Sequence, residues 1–352
     1  MKRREFNRAV AALTAGVALP AIQATEADPG GSITDVQGVK VGHFTESRRP
    51  TGCTVLLFEK GATAGVDVRG GAPGTRDTDL LNPVTTVQQV QAIFLSGGSA
   101  FGLDVASGVM RYLEEHRLGF AMGDIIVPIV PGAILYDLEI GDAKVRPTAE
   151  SGYKACQAAT TERVVEGNVG AGAGASIGKM FGPKQAMKSG LGSASVRVGD
   201  TGIVVGALVA VNAVGDVLDP KTGQIIAGAR KADGSGFMDS MARIREGYGV
   251  RADSANTTIG VVATNVALDK AQATKVAQMA HDGLARTIYP VHTPSDGDTI
   301  FAVATGANSA RANPGAIGAL AAEVMTRAVL RAVMNARGIA GLPSYSDLRS
   351  RG

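Results

Sequence analysis

The chain reads as a layered fold of interleaved strands and helices, α/β or α+β in class. Three observations lead there. Short apolar, β-branched runs alternate with amphipathic helical runs along the chain. Hydrophobic residues make up 45% of 352, enough for a large core, which excludes wholesale disorder. No fixed-period repeat is visible, and the 47 glycines follow no Gly-X-Y period, so solenoid and collagen are excluded. The pattern alone leaves open one layered sandwich or a two-domain arrangement.

The elements follow in order. Residues 36–44, 53–59 and 92–95 read as strands, and 101–115 as a helix with Leu103, Ala106, Met110 and Leu113 on one face. Residues 125–138 are apolar but interrupted by Pro128 and Pro131, and 167–192 are Gly-rich. Residues 203–218 read as two strands joined near 212–215. A polar stretch, 231–256, precedes a β-branched strand at 257–266. Asp269 can cap a helix carrying Val276, Ala280 and Leu284 on one face. Asn313-Pro314 supplies a cap and a first-turn proline for a last helix, with Ile317, Leu320, Val324 and Ala328 on its face. Gly338 is the expected terminator, followed by a short tail.

The N-terminus reads as a signal peptide over residues 1–24 and is set apart from the fold at 25–352. Lys2, Arg3, Arg4 and Arg8 against Glu5 give a basic head of +3, followed by an apolar run and small residues at Ala24 and Ala27. Arg3-Arg4-Glu5-Phe6 resembles a twin-arginine export signal, although Lys2 and Asn7 depart from the usual pattern. The expected location is periplasmic. The head carries the whole +3 of the chain, so the mature protein is near neutral. Nothing then drives it onto nucleic acid or an anionic membrane, and no apolar run reaches the length of a membrane span. Cys53 and Cys156 read as two buried free thiols rather than a disulfide scaffold.

Several chemistries lack their signatures. The four histidines, His43, His116, His281 and His292, are scattered, with no HExxH and no CxxC pair, so no metal site is expected. The Gly170–Gly178 region fails both dinucleotide and P-loop patterns. Gly174-Ala175-Ser176-Ile177-Gly178 matches GxSxG, but small, flexible sequence precedes Ser176 where a nucleophile elbow needs a buried strand. A loop where two backbones approach closely is the favoured reading.

The chemically informative junction is Asn256-Thr257-Thr258-Ile259, where a polar loop runs into a β-branched strand. Cleavage of the 256–257 bond would put the Thr257 hydroxyl beside its own α-amine. That amine has a pKa of about 8 and can serve as the hydroxyl's general base without any histidine. Ser295-Asp296-Gly297-Asp298-Thr299 offers two carboxylates near a strand start. Asn212 at a strand end can donate to an oxyanion, and Lys179 can supply a cation. Each also has an ordinary reading: a turn asparagine, a surface lysine, a solvated Asp-Gly-Asp turn.

An ordered series of motifs spans the mature chain. It includes Thr51-Gly52-Cys53-Thr54-Val55, Gly74-Thr75-Arg76-Asp77-Thr78-Asp79 and Leu95-Ser96-Gly97-Gly98-Ser99-Ala100-Phe101-Gly102-Leu103. Ile134-Leu135-Tyr136-Asp137, the 170–179 segment, the 256–265 junction and residues 292–301 complete it. This series resembles the DmpA-type family of autocleaving aminopeptidases and amidohydrolases, which includes L-aminopeptidase/D-esterases, β-peptidyl aminopeptidases and nylon-oligomer hydrolases. The resemblance implies a four-layer αββα sandwich, cut once into an α chain (25–256) and a β chain (257–352). It implies Thr257 as nucleophile and Asn256–Thr257 as the cleaved bond, with Thr258 the fallback if the cut falls one bond later. Asn212 resembles the oxyanion asparagine, Lys179, Asp296 and Asp298 resemble supporting polar residues, and Tyr136 matches a tyrosine lining the site. The aminopeptidases have a Ser/Glu pair where Asp296 and Asp298 stand, so substrate preference need not match. A small peptide or amide substrate, no cofactor, no metal and a homo-oligomer of αβ units are implied. The alternatives are an acyltransferase of the related ornithine acetyltransferase type and a periplasmic binding protein that never cleaves.

Overall fold

The computed structural model describes residues 30–249, 256–311, 313–339 and 341–349. The leader expected at 1–24 lies outside them. So do residues 250–255 of the polar stretch before the junction.

The architecture grows from one long strand. β1 (Lys40–Thr45) turns back into β2 (Gly52–Val68), and the two pair antiparallel. The first half of β2 pairs with β3 (Val90–Ser96), and its second half pairs with a strand from the far end of the chain. The ladder to β3 shifts register between Leu57 and Ala62, where Glu59 and Lys60 turn outward. Gly61 there has φ +75°, a left-handed conformation that bends the strand at low cost. One strand thereby serves two packed sheet halves. Beyond β3 lie the short β4 (Gly132–Ile134), parallel to it, and the two-residue strand Thr75–Arg76.

The other half is built from β5 (Leu191–Val198), β6 (Ile203–Asn212), β7 (Thr257–Val266) and β8 (Thr299–Asn308). Their order is β5-β6-β7-β8-β2. β7 and β8 run parallel, and the other neighbours in this half run antiparallel. All ten residues of β6 and all ten of β7 are buried, as continuous apolar runs covered on both faces require.

Alternation along the strands sorts side chains into three cores. Leu56, Phe58, Ile93 and Leu95 meet Leu208, Ile259, Val261 and Phe301 between the two halves. Cys53, Val55, Leu57 and Phe94 face outward onto α1 (Val105–Glu115) and α2 (Ala149–Gln157). Val205, Val209, Val262 and Ile300 face the opposite way, onto α3 (Lys270–Ala285) and α4 (Pro314–Met334). The layers are therefore helix, sheet, sheet, helix, the sandwich expected. Cys53 and Cys156 sit buried as free thiols in the α1/α2 core.

Local differences from the sequence reading have local causes. The expected strand at 36–44 starts at Lys40, because a 3-10 turn at Ile33–Asp35 precedes it. Residues Ser99–Asp104 form a 3-10 turn rather than the first turn of α1, since Gly98 enters it at φ +87°. Asp269 and Asn313 cap α3 and α4 as expected, accepting from Gln272 N and Gly315 N. Gly338 does not end α4, which stops at Met334 with Asn335 as its cap. The tail is structured: it forms a helical turn at Tyr345–Arg349, and Tyr345 and Leu348 pack on the core beside α4.

Gly65 shows how tightly the layers meet. A Cβ there would lie 2.2 Å from Thr274 N and 2.6 Å from Ala273 C, both backbone atoms of α3. Gly65→Ala is expected to lower stability by about 1–3 kcal/mol. Urea unfolding of the variant beside the parent measures it.

Candidate active site

The site assembles where β6 ends and β7 begins. Antiparallel register sets Asn212, the last residue of β6, opposite Thr257, the first of β7. Both are buried, Asn212 at 0% and Thr257 at 4% exposure. Thr258 follows on the strand, and alternation turns its side chain to the other face. Its N–H donates to Asp298 Oδ1 at 2.6 Å.

The peptide bond before Thr257 is held on both sides. Asn256 forms a parallel bridge with Asp296, and its carbonyl accepts Gly297 N–H at 2.8 Å. The same carbonyl oxygen is hydrogen-bonded by the Thr257 hydroxyl. Gly297 must be glycine for reasons of space: a Cβ would lie 2.8 Å from Thr257 Oγ1 and 2.9 Å from Ala72 O.

Asn212 is oriented by its partners. Its Oδ1 accepts Ser176 N–H at 3.0 Å and Lys179 Nζ at 2.9 Å. A backbone N–H can only donate, so the amide's NH₂ faces the other way. It donates to the Tyr136 carbonyl at 2.8 Å. Tyr136 thus reaches the cluster through its backbone, and its half-buried side chain is not what touches Asn212. The Tyr136 carbonyl is itself fixed by Asp137, whose carboxyl takes Arg49 Nη2 at 2.7 Å, Thr51 Oγ1 at 2.7 Å and Gly98 N at 2.9 Å.

Ser176 belongs to no nucleophile elbow. It lies in a two-residue strand, Ser176–Ile177, with its backbone N–H engaged on Asn212. The glycines around it serve close approach, as expected: a Cβ on Gly178 would lie 2.2 Å from Ala229 N. Behind this loop lies Lys188, fully buried, whose ammonium donates to the carbonyls of Gly172, Ala175 and Ser189. Burial pushes it down to about 7.

The electrostatics are those of charges in a closed interior. Lys179 is not a surface lysine: burial lowers it from 10.5 to about 8, although Glu139, Asp296 and Asp137 pull upward. The Asp-Gly-Asp turn is not solvated either, with Asp296 and Asp298 at 2% and 1% exposure. Burial, then the neighbouring Asp298, raises Asp296 to about 6, while hydrogen bonds from Thr293 and the charge of Lys179 oppose the shift. Asp296 Oδ2 accepts Thr293 N–H at 2.7 Å, whereas its Oδ1 is buried without a partner among the described residues.

All the residues singled out from the sequence converge here: Thr257, Asn212, Lys179, Asp296 and Asp298, with Tyr136 at the edge. Gly297, Asp137, Lys188 and His292 escaped that reading. Gly297 stood between the two aspartates, and Asp137 and His292 stood within the quoted motifs without a role; Lys188 carried no signal.

The chain matches the model of peptidase family S58 over residues 31–345. It is 45% identical over 344 residues to an uncharacterized aminopeptidase of Mycobacterium tuberculosis, covering 90% of this chain and 97% of that one. It is 33% identical over 316 residues to the 6-aminohexanoate-oligomer endohydrolase of Paenarthrobacter ureafaciens, covering 85% and 84%. Among solved structures it resembles the L-aminopeptidase D-Ala-esterase/amidase of Ochrobactrum anthropi, described as a variant of the Ntn hydrolase fold, with TM-score 0.68, 21% identity and coverage of 91% and 94%. A Burkholderia β-aminopeptidase gives TM-score 0.67 at 24% identity, again covering 91% and 94%. With a strand-end cluster of buried polar groups in a sandwich that shares the Ntn hydrolase fold, the chain belongs to peptidase family S58.

Proposed function

We propose that this protein cuts its own Asn256–Thr257 bond and then hydrolyses small peptide or amino-acid amides and esters with Thr257 as an N-terminal nucleophile. One observation carries the reading: the Thr257 hydroxyl lies on the carbonyl of the preceding residue, and Gly297 N–H holds that carbonyl at 2.8 Å. In the first step Thr257 Oγ1 attacks the Asn256 carbonyl carbon. Charge gathers on the oxygen that Gly297 already contacts. Collapse moves the acyl group from nitrogen to oxygen, and the hydroxyl proton ends on the Thr257 nitrogen. Water then hydrolyses the ester, returning the hydroxyl and leaving Asn256 as a carboxylate.

In the second reaction the freed amine, with a pKa of about 8, takes the hydroxyl proton as Thr257 attacks a substrate carbonyl. Asn212 has a second amide N–H to offer the oxyanion, held in aim by Lys179, Ser176 and Tyr136. Lys179 adds positive charge beside it, in a low-dielectric setting that strengthens the effect. The aminopeptidase and oligomer hydrolase among the relatives support an amide substrate ending in a free amine. Two buried carboxyls, Asp296 and Asp298, suit recognition of such an amine. Export of the mature enzyme to the periplasm by the 1–24 leader, and assembly of αβ units, belong to the same proposal.

Three outcomes are expected. Intact mass under denaturing conditions gives two fragments, the smaller being 257–352, and Thr257→Ala stays uncut; an uncut parent or a cut Thr257→Ala protein overturns the reading. Lys179→Met lowers hydrolysis by roughly a hundredfold, the scale of losing one oxyanion support, while its Tm at pH 7 stays level or rises, because a buried ammonium is removed. The third outcome concerns Asp296. Its carboxyl is raised in the fold, so its favourable contribution is complete below its ordinary value of 3.8 and lost as pH rises to about 6. Thermal melts of the parent and Asp296→Asn across that window are expected to diverge, the parent losing stability relative to the variant as pH rises.

A further inference from the structure

His292 has no part in the chemistry above, yet it touches Asp298 directly. Its backbone N–H and its ring Nδ1 both reach Asp298 Oδ2, at 3.1 and 2.8 Å. The other oxygen of that carboxyl accepts Thr258 N–H at 2.6 Å. Asp298 therefore takes three donors and stands between His292 and the residue after the proposed nucleophile. An oxygen that already accepts a backbone N–H is an acceptor, so Nδ1 carries the proton and the ring is a donor on that side.

The backbone shows that this arrangement is imposed. His292 has φ +58°, a left-handed conformation unfavourable for a histidine unless its surroundings hold it. They do so through the ring. His281 packs edge-on against it, with centroids 4.8 Å apart at 74°. His281 is fully buried and donates from Nε2 to the Asp67 carbonyl at 3.0 Å. Burial holds it down to about 4, so it packs as a neutral ring. The far nitrogen of His292, Nε2, is buried without a hydrogen-bond partner among the described residues.

We infer that His292 is a positioning residue, its Nδ1–H locking Asp298 so that Thr258 N–H, and with it the Thr257 hydroxyl, is held in register for self-cleavage. This rests on the self-cleavage reading above, and its geometric part is separable from it.

The experiment compares His292→Gly with His292→Asn. Both residues accept a left-handed φ, so neither variant adds backbone strain. Glycine keeps the backbone N–H and removes the ring, with both its donor and its packing on His281. Asparagine restores a donor close to where Nδ1 stood. Purified precursors are followed by intact mass with time, and Thr258 amide exchange is followed by hydrogen–deuterium exchange. The expected result is self-cleavage slowed roughly tenfold or more in His292→Gly, the scale of one lost hydrogen bond to a charged group. In His292→Asn it returns to within about threefold of the parent. Protection of the Thr258 amide, measured on the uncut Thr257→Ala background, is expected to fall with glycine and recover with asparagine. Parent-like cleavage in the glycine variant overturns the inference, as does an asparagine variant as slow as glycine. A parent chain that never self-cleaves overturns the function proposed above; the amide exchange then decides the His292 tie alone, and unchanged protection in the glycine variant overturns it.

Discussion

Everything at the site depends on the register between β6 and β7. Asn212 and Thr257 face each other because the two buried strands pair residue for residue along their lengths. A slip of one residue would exchange the two faces of β7. Ile259 and Val261 would leave the inter-sheet core, and Val262 would leave the helix side. Packing of two cores thus fixes the placement of one hydroxyl. The site residues contribute little to that register; they inherit it.

The same packing makes the site costly. Lys179, Lys188, Asp137, Asp296 and Asp298 are all buried. Such groups persist only where hydrogen bonds satisfy them. Asp137 meets this demand in full, with Arg49, Thr51 and Gly98 gathered on its carboxyl. Lys188 does so with backbone carbonyls of the Gly-rich loop. Asp296 does not, having one oxygen unpartnered and its carboxyl raised. The unsatisfied group therefore sits beside the bond proposed to break, together with the well-bonded Asp298 and Lys179.

The extent to which the fold could be read from sequence varied by element. β7 was legible end to end, because a buried strand is a continuous β-branched run with a sharp polar edge. The caps of α3 and α4 were legible because Asp269 and Asn313 act on their own next turn. The span of β2 was not, since Glu59 and Lys60 interrupt its apolar pattern where it crosses between the sheet halves. The end of α4 was misplaced because Gly338 serves close packing instead, and a Cβ there would meet the Asp347 carboxyl at 2.0 Å. Within the site, the side chains of Asn212, Lys179, Thr257, Asp296 and Asp298 were found, the side chains of Asp137, Lys188 and His292 were given no role, and the contributions made through backbone atoms were not foreseen. Gly297 donates an N–H, Ser176 donates an N–H and Tyr136 offers a carbonyl, none of which leaves a residue-type signature.

The strand order β5-β6-β7-β8-β2 bears on what happens to a cut chain. Residues after 256 supply β7, β8, α3 and α4, and residues before 250 supply β5, β6 and β2. One piece is thus a wedge between strands of the other, with hydrogen-bond ladders along both of its edges. Parting the pieces would open the middle of the sheet and two of the three cores together. A chain cut there would come apart only by opening those two cores. If the proposed cut is made, the product would be one folded body with four chain ends, two of them created inside it.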